Sequence, residues 1–186
     1  MAAMRAVLRL VSFETKGAAT RIGALLENGS VVDLTAGNPT LPNCARKFIA
    51  GGEELKQAAR AVIDSGKNRI DAKDVRLRAP IHNPEKIICI GLNYLDHAKE
   101  CNLPLPSEPV MFNKFNNTIC GPEDNIILPK ISQQVDFEAE LVAVVGKSGR
   151  NIPVERAMEH IFGFTIGHDV SARDWQIGRP GGQWMV

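Results

Sequence analysis

Two glutamates one residue apart, Glu138 and Glu140, and an aspartate further on, Asp169, are the residues whose types and spacing can do chemistry. The glutamates fall in a run of strand formers over residues 135–146, read as one long strand. Side chains two apart on a strand share a face, so Glu138 and Glu140 project together while Phe137, Ala139 and Leu141 face the other way. Two carboxylates held side by side against an apolar run repel each other and lose hydration. Either one takes up a proton or both find a cation. A hard divalent ion such as Mg²⁺, Mn²⁺ or Ca²⁺ prefers carboxylate oxygens, and Asp169, at the end of the apolar stretch 161–168, is a candidate third oxygen ligand for it. The plainer alternative is an exposed Glu-x-Glu pair that solvates an outer face. The apolar continuation from Leu141 to Val145 argues for a buried strand and so for the cation.

His97 and Glu100 form a second constellation. Three apart on a helix they share a face, where a carboxylate can orient an imidazole and raise its basicity. A solvated surface helix carries the same spacing. Other chemistry-bearing residues lack a pattern. The four cysteines, Cys44, Cys89, Cys101 and Cys120, lack zinc-ligand spacing and read as free thiols in a reducing compartment. Cys89, inside an apolar run, reads as a small core residue. Residues 178–182 are glycine-rich but lack the lysine and helix of a phosphate loop, and no serine sits in a Gly-x-Ser-x-Gly elbow. His160 reads as a helix-end histidine, His82 as an exposed linker residue, and Trp175 and Trp184 as packing or pocket-wall residues.

The elements that must position these groups can be read in outline. Apolar runs at 22–26 and 31–34 flank Asn28-Gly29, a strong hairpin signal. Residues 43–65 read as a helical stretch broken at Gly51-Gly52, and 75–78 as a closing strand. Two closely spaced prolines, Pro80 and Pro84, make a linker. The chain thus reads as a small N-terminal β/α domain over 1–80, a linker over 81–86 and a second domain over 87–186. In the second domain a short buried strand at 87–90 precedes a helix capped by Asn93, with Asp96 in a capping-box position. Short strands are expected at 110–112 and 125–129, and a helix from Pro153 to Gly163. The class is α+β and β-rich.

Composition excludes several functions. Twenty-two basic against 21 acidic residues leave no electrostatic case for nucleic acid or an anionic membrane. No apolar run reaches the roughly 18 residues of a membrane helix. Basic residues near the start, Arg5, Arg9, Lys16 and Arg21, resemble a mitochondrial presequence, but residues 6–13 are rich in strand formers and read as a first strand. The compartment expected is cytoplasmic, with mitochondrial as the alternative.

Four ordered motifs resemble the fumarylacetoacetate hydrolase family, its domain-containing protein 2 branch in particular. They are Gly91-Leu92-Asn93-Tyr94-Leu95-Asp96-His97-Ala98-Lys99-Glu100, then Phe112-Asn113-Lys114-Phe115. Asp136-Phe137-Glu138-Ala139-Glu140-Leu141 and His168-Asp169-Val170-Ser171-Ala172-Arg173-Asp174-Trp175-Gln176 complete the set. The resemblance implies that Glu138, Glu140 and Asp169 bind Mg²⁺ or Mn²⁺ and that His97 and Glu100 activate water. It implies that Lys114, Arg173 and Gln176 line the substrate pocket. It also implies a mixed β-roll core, of which this chain carries the first part, and a homodimer. The substrates it implies are β-dicarbonyl acids such as acylpyruvates, fumarylacetoacetate and oxaloacetate, undergoing C–C hydrolysis, decarboxylation or tautomerisation. The same resemblance implies a substrate-contacting lysine and further core strands beyond Val186. The alternative expectation is therefore a truncated, catalytically inactive fragment that at most binds metal or pairs with a full-length subunit.

Overall fold

A computed structural model describes residues 7–180. The fold is α+β and rich in strands, as the sequence predicts, and its backbone groups into two units. One unit runs to Asn83 and adds Cys120–Ile126 and Leu141–Ile166. The other takes Pro84–Ile119, Ile127–Glu140 and the chain from Gly167 onward.

The first unit is built on an antiparallel five-stranded sheet. Its strands are β1 (Leu10–Glu14), β2 (Arg21–Leu25), β3 (Val31–Asp33), β4 (Arg69–Ile70) and β5 (Arg76–Arg78), in the order β4-β3-β2-β1-β5. The expected first strand is thus present from Leu10 onward; the basic residue Arg5 lies outside the described residues. The β2–β3 hairpin turns at Asn28-Gly29. The Asn28 side chain accepts from the backbone N–H and hydroxyl of Ser30, and Gly29 takes φ +83, a left-handed conformation cheap only for glycine. Helices α1 (Leu34–Gly37), α2 (Ala45–Ala50) and α3 (Gly52–Asp64) follow. The α2–α3 break falls where the two glycines predict it. Gly52 sits at φ +61 with open space around its α-carbon, so the break is conformational rather than steric. Leu55, Ala58, Ala59, Val62 and Ile63 line one face of α3 and pack on a core of Ile22, Val32, Leu34 and Phe48. Phe48 is fully buried and meets Phe162 edge-on, ring centroids 6.4 Å apart. Asp33 caps α1 by accepting from the Ala36 N–H at 2.9 Å and pairs with Arg21 at 2.6 Å.

In the second unit β6 (Ile87–Gly91) pairs antiparallel with β7 (Val110–Lys114), with Cys89 opposite Phe112. Helix α4 (Leu95–Glu100) lies between them in sequence. The two-residue strand β8 (Val135–Asp136) pairs with β11 (Ser171–Ala172), which leads into α5 (Arg173–Gln176). Asp174 fastens α5 to the segment before β8: it accepts from the Ser132 hydroxyl at 2.6 Å and the Gln133 N–H at 3.2 Å. Strands β9 (Ala139–Val145) and β10 (Ile161–His168) form a separate two-stranded sheet, most of whose residues, Leu141–Val145 and Ile161–Ile166, belong to the first unit.

Several expected elements differ. Strand 135–146 is two strands, broken at Phe137-Glu138, where the Asp136 carboxylate turns back to accept from the Phe137 N–H at 2.9 Å. Glu138 therefore stands in the break and only Glu140 lies on a strand. Strand 87–90 is not buried within the described chain: Ile88 is 64% exposed. Helix α4 starts one residue later than an Asn93 cap predicts, its cap is Tyr94 without a side-chain bond, and Asp96 makes no capping box. The delay follows from Leu92, held at φ +51, which keeps the chain turning before the helix begins. Residues 125–129 form no strand. After Pro153 the chain makes a tight 3-10 turn over Val154–His160, and the strand β10 replaces the end of the expected helix. Phe162, Phe164, Thr165 and Ile166 favour strand there. His160 does end that turn, buried, with Nδ1 2.9 Å from the Lys147 carbonyl.

Candidate metal centre

Unit by unit, every side chain singled out for chemistry lies in the second unit. The break at 137–138 and the pairing of β8 with β11 bring the end of one acidic motif to the start of the other. The backbone N–H of Asp169 donates to the Glu138 carbonyl at 3.1 Å, and the Arg173 N–H donates to the Gln134 carbonyl at 2.8 Å. These bonds fix the segment carrying Asp169 and Arg173 against the segment carrying Asp136 and Glu138.

Two cations from the chain hold these acids. The Arg173 guanidinium reaches three acceptors: Nη2 to Glu138 Oε1 at 2.6 Å, Nε to Asp136 Oδ2 at 3.0 Å and Nη1 to Gln176 Oε1 at 2.8 Å. Burial works against this charge, but the hydrogen bonds to Glu138 and Asp136 outweigh it, and the Arg173 pKa is raised. Lys114 Nζ lies 2.6 Å from Asp169 Oδ1, both side chains 14% exposed. That contact is an ion pair without hydrogen-bond geometry, because Asp169 Oδ1 is buried and has no hydrogen-bond partner.

Glu140 has a different environment. Burial and the neighbouring Glu138 push its carboxyl above the usual carboxylate range. A hydrogen bond from Tyr94 opposes the rise, Asp169 adds to it and His97 reduces it. These influences place Glu138, Asp169, His97 and Tyr94 around one carboxylate. Cys89 borders the same cluster: burial and then Asp169 raise its thiol pKa, with smaller contributions from Glu140 and Glu138. A raised pKa leaves the thiol neutral and poorly nucleophilic.

The arrangement unites most of the expected site residues. Glu138, Glu140, Asp169, Lys114, Arg173 and Gln176 are linked directly or through one neighbour. His97 faces this cluster electrostatically, with Nε2 3.9 Å from Cys101 Sγ. Glu100 is exposed, and among the described residues no hydrogen bond joins it to His97. Three contributors went unread in the sequence: Tyr94, Asp136 and Cys89. Cys89 and Lys114 sit on β6 and β7 at positions whose neighbours point outward, so strand alternation could have found Cys89.

The donor set fits a hard divalent ion. Four carboxylates, Asp136, Glu138, Glu140 and Asp169, face two cations, Arg173 and Lys114, which leaves an excess of two negative charges. The buried Asp169 Oδ1 keeps an unused acceptor direction. In the arrangement seen, no three His, Cys, Asp or Glu side chains among the described residues converge closely enough to hold an ion. In that arrangement Glu138 is paired with Arg173 and Asp169 with Lys114.

The fold and this acidic cluster define a class, strand-rich α+β proteins with a carboxylate-lined site, and comparison with known proteins identifies the family. The fumarylacetoacetate (FAA) hydrolase C-terminal family matches residues 86–185. The chain belongs to the fumarylacetoacetate hydrolase family. It is 49% identical over 181 residues to the mitochondrial oxaloacetate tautomerase fahd2 of Xenopus laevis, covering 96% of this chain and 57% of the relative. It is 45% identical over 158 residues to the human mitochondrial oxaloacetate tautomerase FAHD2A, covering 85% of this chain and 50% of the relative. The chain therefore spans about half the length of the curated relatives it matches. Among solved structures, the fumarylacetoacetate hydrolase of Exiguobacterium antarcticum superposes with a TM-score of 0.72 at 34% identity, over 91% of this chain and 58% of that one. The maleylpyruvate hydrolase of Sphingobium sp. SYK-6, crystallised with manganese (II) ion and pyruvate, gives 0.73 at 27% identity, over 89% and 60%.

Proposed function

We propose that Glu138, Glu140 and Asp169 hold a hard divalent ion, Mg²⁺ or Mn²⁺ with Ca²⁺ as a third candidate, and that the site tautomerises oxaloacetate. The observation that carries the reading is the buried Asp169 Oδ1, which meets Lys114 but accepts no hydrogen bond, beside Glu138 and a destabilised Glu140. Oxygen donors with unused lone pairs in a partly dehydrated site favour a hard cation. The manganese ion in the maleylpyruvate hydrolase and the oxaloacetate tautomerase names of the relatives support it. When bound, such an ion acts as a Lewis acid that stabilises the enolate of an α-keto acid.

The chain's own residues supply the rest. Tyr94 orients Glu140 by its hydrogen bond. Arg173 and Lys114 bring positive charge for the carboxylates of a dicarboxylic keto acid, with Gln176 steadying the guanidinium. His97, facing Glu140, moves the proton between carbon and oxygen of the substrate. Acylpyruvate hydrolysis needs the histidine and Glu100 to act as a pair on water, and the structure leaves them unjoined. Tautomerisation needs only a positioned proton carrier, which is why it is preferred over hydrolysis or decarboxylation. The mitochondrial relatives support a mitochondrial compartment, and the family resemblance a homodimer.

A second reading, ion binding without turnover by a chain that pairs with another subunit, is favoured by one observation. Ile88 and Met111 lie on the same exposed face of β6–β7, at 64% and 72% exposure. One experiment separates the two. The protein with Mg²⁺ is assayed for loss of the enol absorbance of oxaloacetate, and Mn²⁺ binding is measured by calorimetry. Ion-dependent turnover that is lost in Glu138→Ala and Asp169→Ala supports the tautomerase. Ion binding with no turnover supports the second reading. An unchanged Mg²⁺ titration in either variant overturns the ligand assignment.

A further inference from the structure

We propose that Arg173 is an internal counter-ion that competes with the divalent ion for Glu138, and that Asp136 holds the guanidinium in place when Glu138 is given up. The inference rests on the ion-binding reading above and adds an exchange step to it.

The geometry of the fork carries the argument. Arg173 spends each of its nitrogens on a different acceptor: Nη2 on Glu138, Nε on Asp136, Nη1 on Gln176. Of these three, Glu138 is the one that the ion-binding reading assigns as a ligand. The Glu138 contact, at 2.6 Å, is the shortest of the three, and charge-assisted bonds of this kind are about twice as strong as neutral ones. An ion can therefore take Glu138 only by displacing Nη2. Among the described residues Glu140 has no ion pair within the chain, so an incoming cation meets Glu140 first and Glu138 second.

When Glu138 leaves, Arg173 is not released. Asp136 and Gln176 still hold Nε and Nη1, and Gln176 is itself 7% exposed. The exchange thus frees one N–H group of a guanidinium whose position does not change. Charge balances throughout: the ion's two positive charges meet the excess of two negative charges among the four acids. Binding is ordered as a result, ion before anionic substrate, because the donor that an anion would use is occupied until the ion has arrived. Asp136 is then a positioning residue, acting through Arg173.

The test is a Mn²⁺ calorimetric titration of the full chain at low ionic strength, compared with Arg173→Gln and, as a charge control, Lys99→Gln. Among the described residues Lys99 pairs with the exposed Asp96 alone. The expected result is Mn²⁺ affinity about tenfold higher in Arg173→Gln, the equivalent of one partly buried ion pair, and unchanged in Lys99→Gln. Equal or weaker binding in Arg173→Gln overturns the exchange while leaving the ion site standing. No Mn²⁺ binding by either chain overturns the ion reading and the exchange with it. Should Arg173→Gln lose its fold, the side-chain Nε resonance of Arg173 in the unaltered protein decides. It shifts on saturation with Mg²⁺ if Nη2 loses Glu138, and an unmoved resonance overturns the proposal.

Discussion

Replacing Glu140 with glutamine should make the ion-free protein more stable and the ion-binding protein worse. Glu140 is a carboxylate that burial and Glu138 both disfavour in its charged form, and its folded pKa is raised. In the unfolded chain it titrates as an ordinary glutamate. Between that ordinary value and the raised one, the folded state holds more protons than the unfolded state. Stability therefore falls as pH rises through that window, and the penalty is fully present above it. Glutamine keeps the acceptor for Tyr94 and removes the charge. Relieving a partly buried charge beside a like charge, with one hydrogen bond kept, puts the gain on the order of 1 kcal/mol at neutral pH. The gain should vanish below the ordinary glutamate range, where both chains are uncharged at this position. The assay is urea denaturation in a chelator, followed by tryptophan fluorescence. Trp175, in α5, reports the second unit, while Trp184 lies outside the described residues. A loss of stability at neutral pH, or a gain that is the same in acid, would refute the reasoning that this carboxylate is strained.

Other substitutions probe the scaffold and the proton carrier. Phe48→Ala should destabilise the first unit by about 3–5 kcal/mol, read by circular dichroism in denaturant, because Phe48 is fully buried and supports Phe162. Asp33→Ala should cost about 2–3 kcal/mol by removing the cap of α1 and the ion pair with Arg21. Burial works to raise the Asp33 pKa, but Arg21 and the Ala36 N–H lower it overall. Asp33 therefore stabilises the fold above the ordinary aspartate range. That stability drains away as pH falls through the lowered value, a slope that Asp33→Ala should lack. His97→Ala should leave Mn²⁺ affinity within about twofold and lower tautomerase turnover by about 10²-fold or more, the usual worth of a positioned proton carrier. Turnover that survives would show that His97 does not move the proton.

Local chemistry was legible in the sequence wherever a few adjacent residues decide it. Asn28-Gly29 specifies its hairpin and Gly51-Gly52 its helix break, because the backbone conformations they allow are rare for other residues. The α+β class followed from the same punctuation. What misled was hydrophobic patterning in the second unit. Residues 87–90 and 139–145 are apolar enough to read as buried, yet Ile88, Leu141 and Val145 are exposed within the described chain. The acids Glu138 and Glu140 are the more sheltered members of their segment. At residues 135–146 periodicity could not see the break, which depends on Asp136 bonding locally and on Arg173, 35 residues from Glu138, pulling at both acids. The partners Asp136 and Tyr94 were unreadable for the same reason. Their roles exist only once distant segments meet.

The interleaving of the two units has a consequence for synthesis. The unit that opens the chain also draws on Cys120–Ile126, whose Asp124 bonds Arg76 and Arg78, and on Leu141–Ile166, which supplies Phe162 to Phe48. A growing chain emerges from its N-terminus at roughly 5–20 residues per second and folds what it can. The five-stranded sheet is available early, but the aromatic face of Phe48 waits for residue 162. For several seconds the nascent protein carries an incomplete core, and a pause in translation anywhere between residues 83 and 162 would lengthen that exposure.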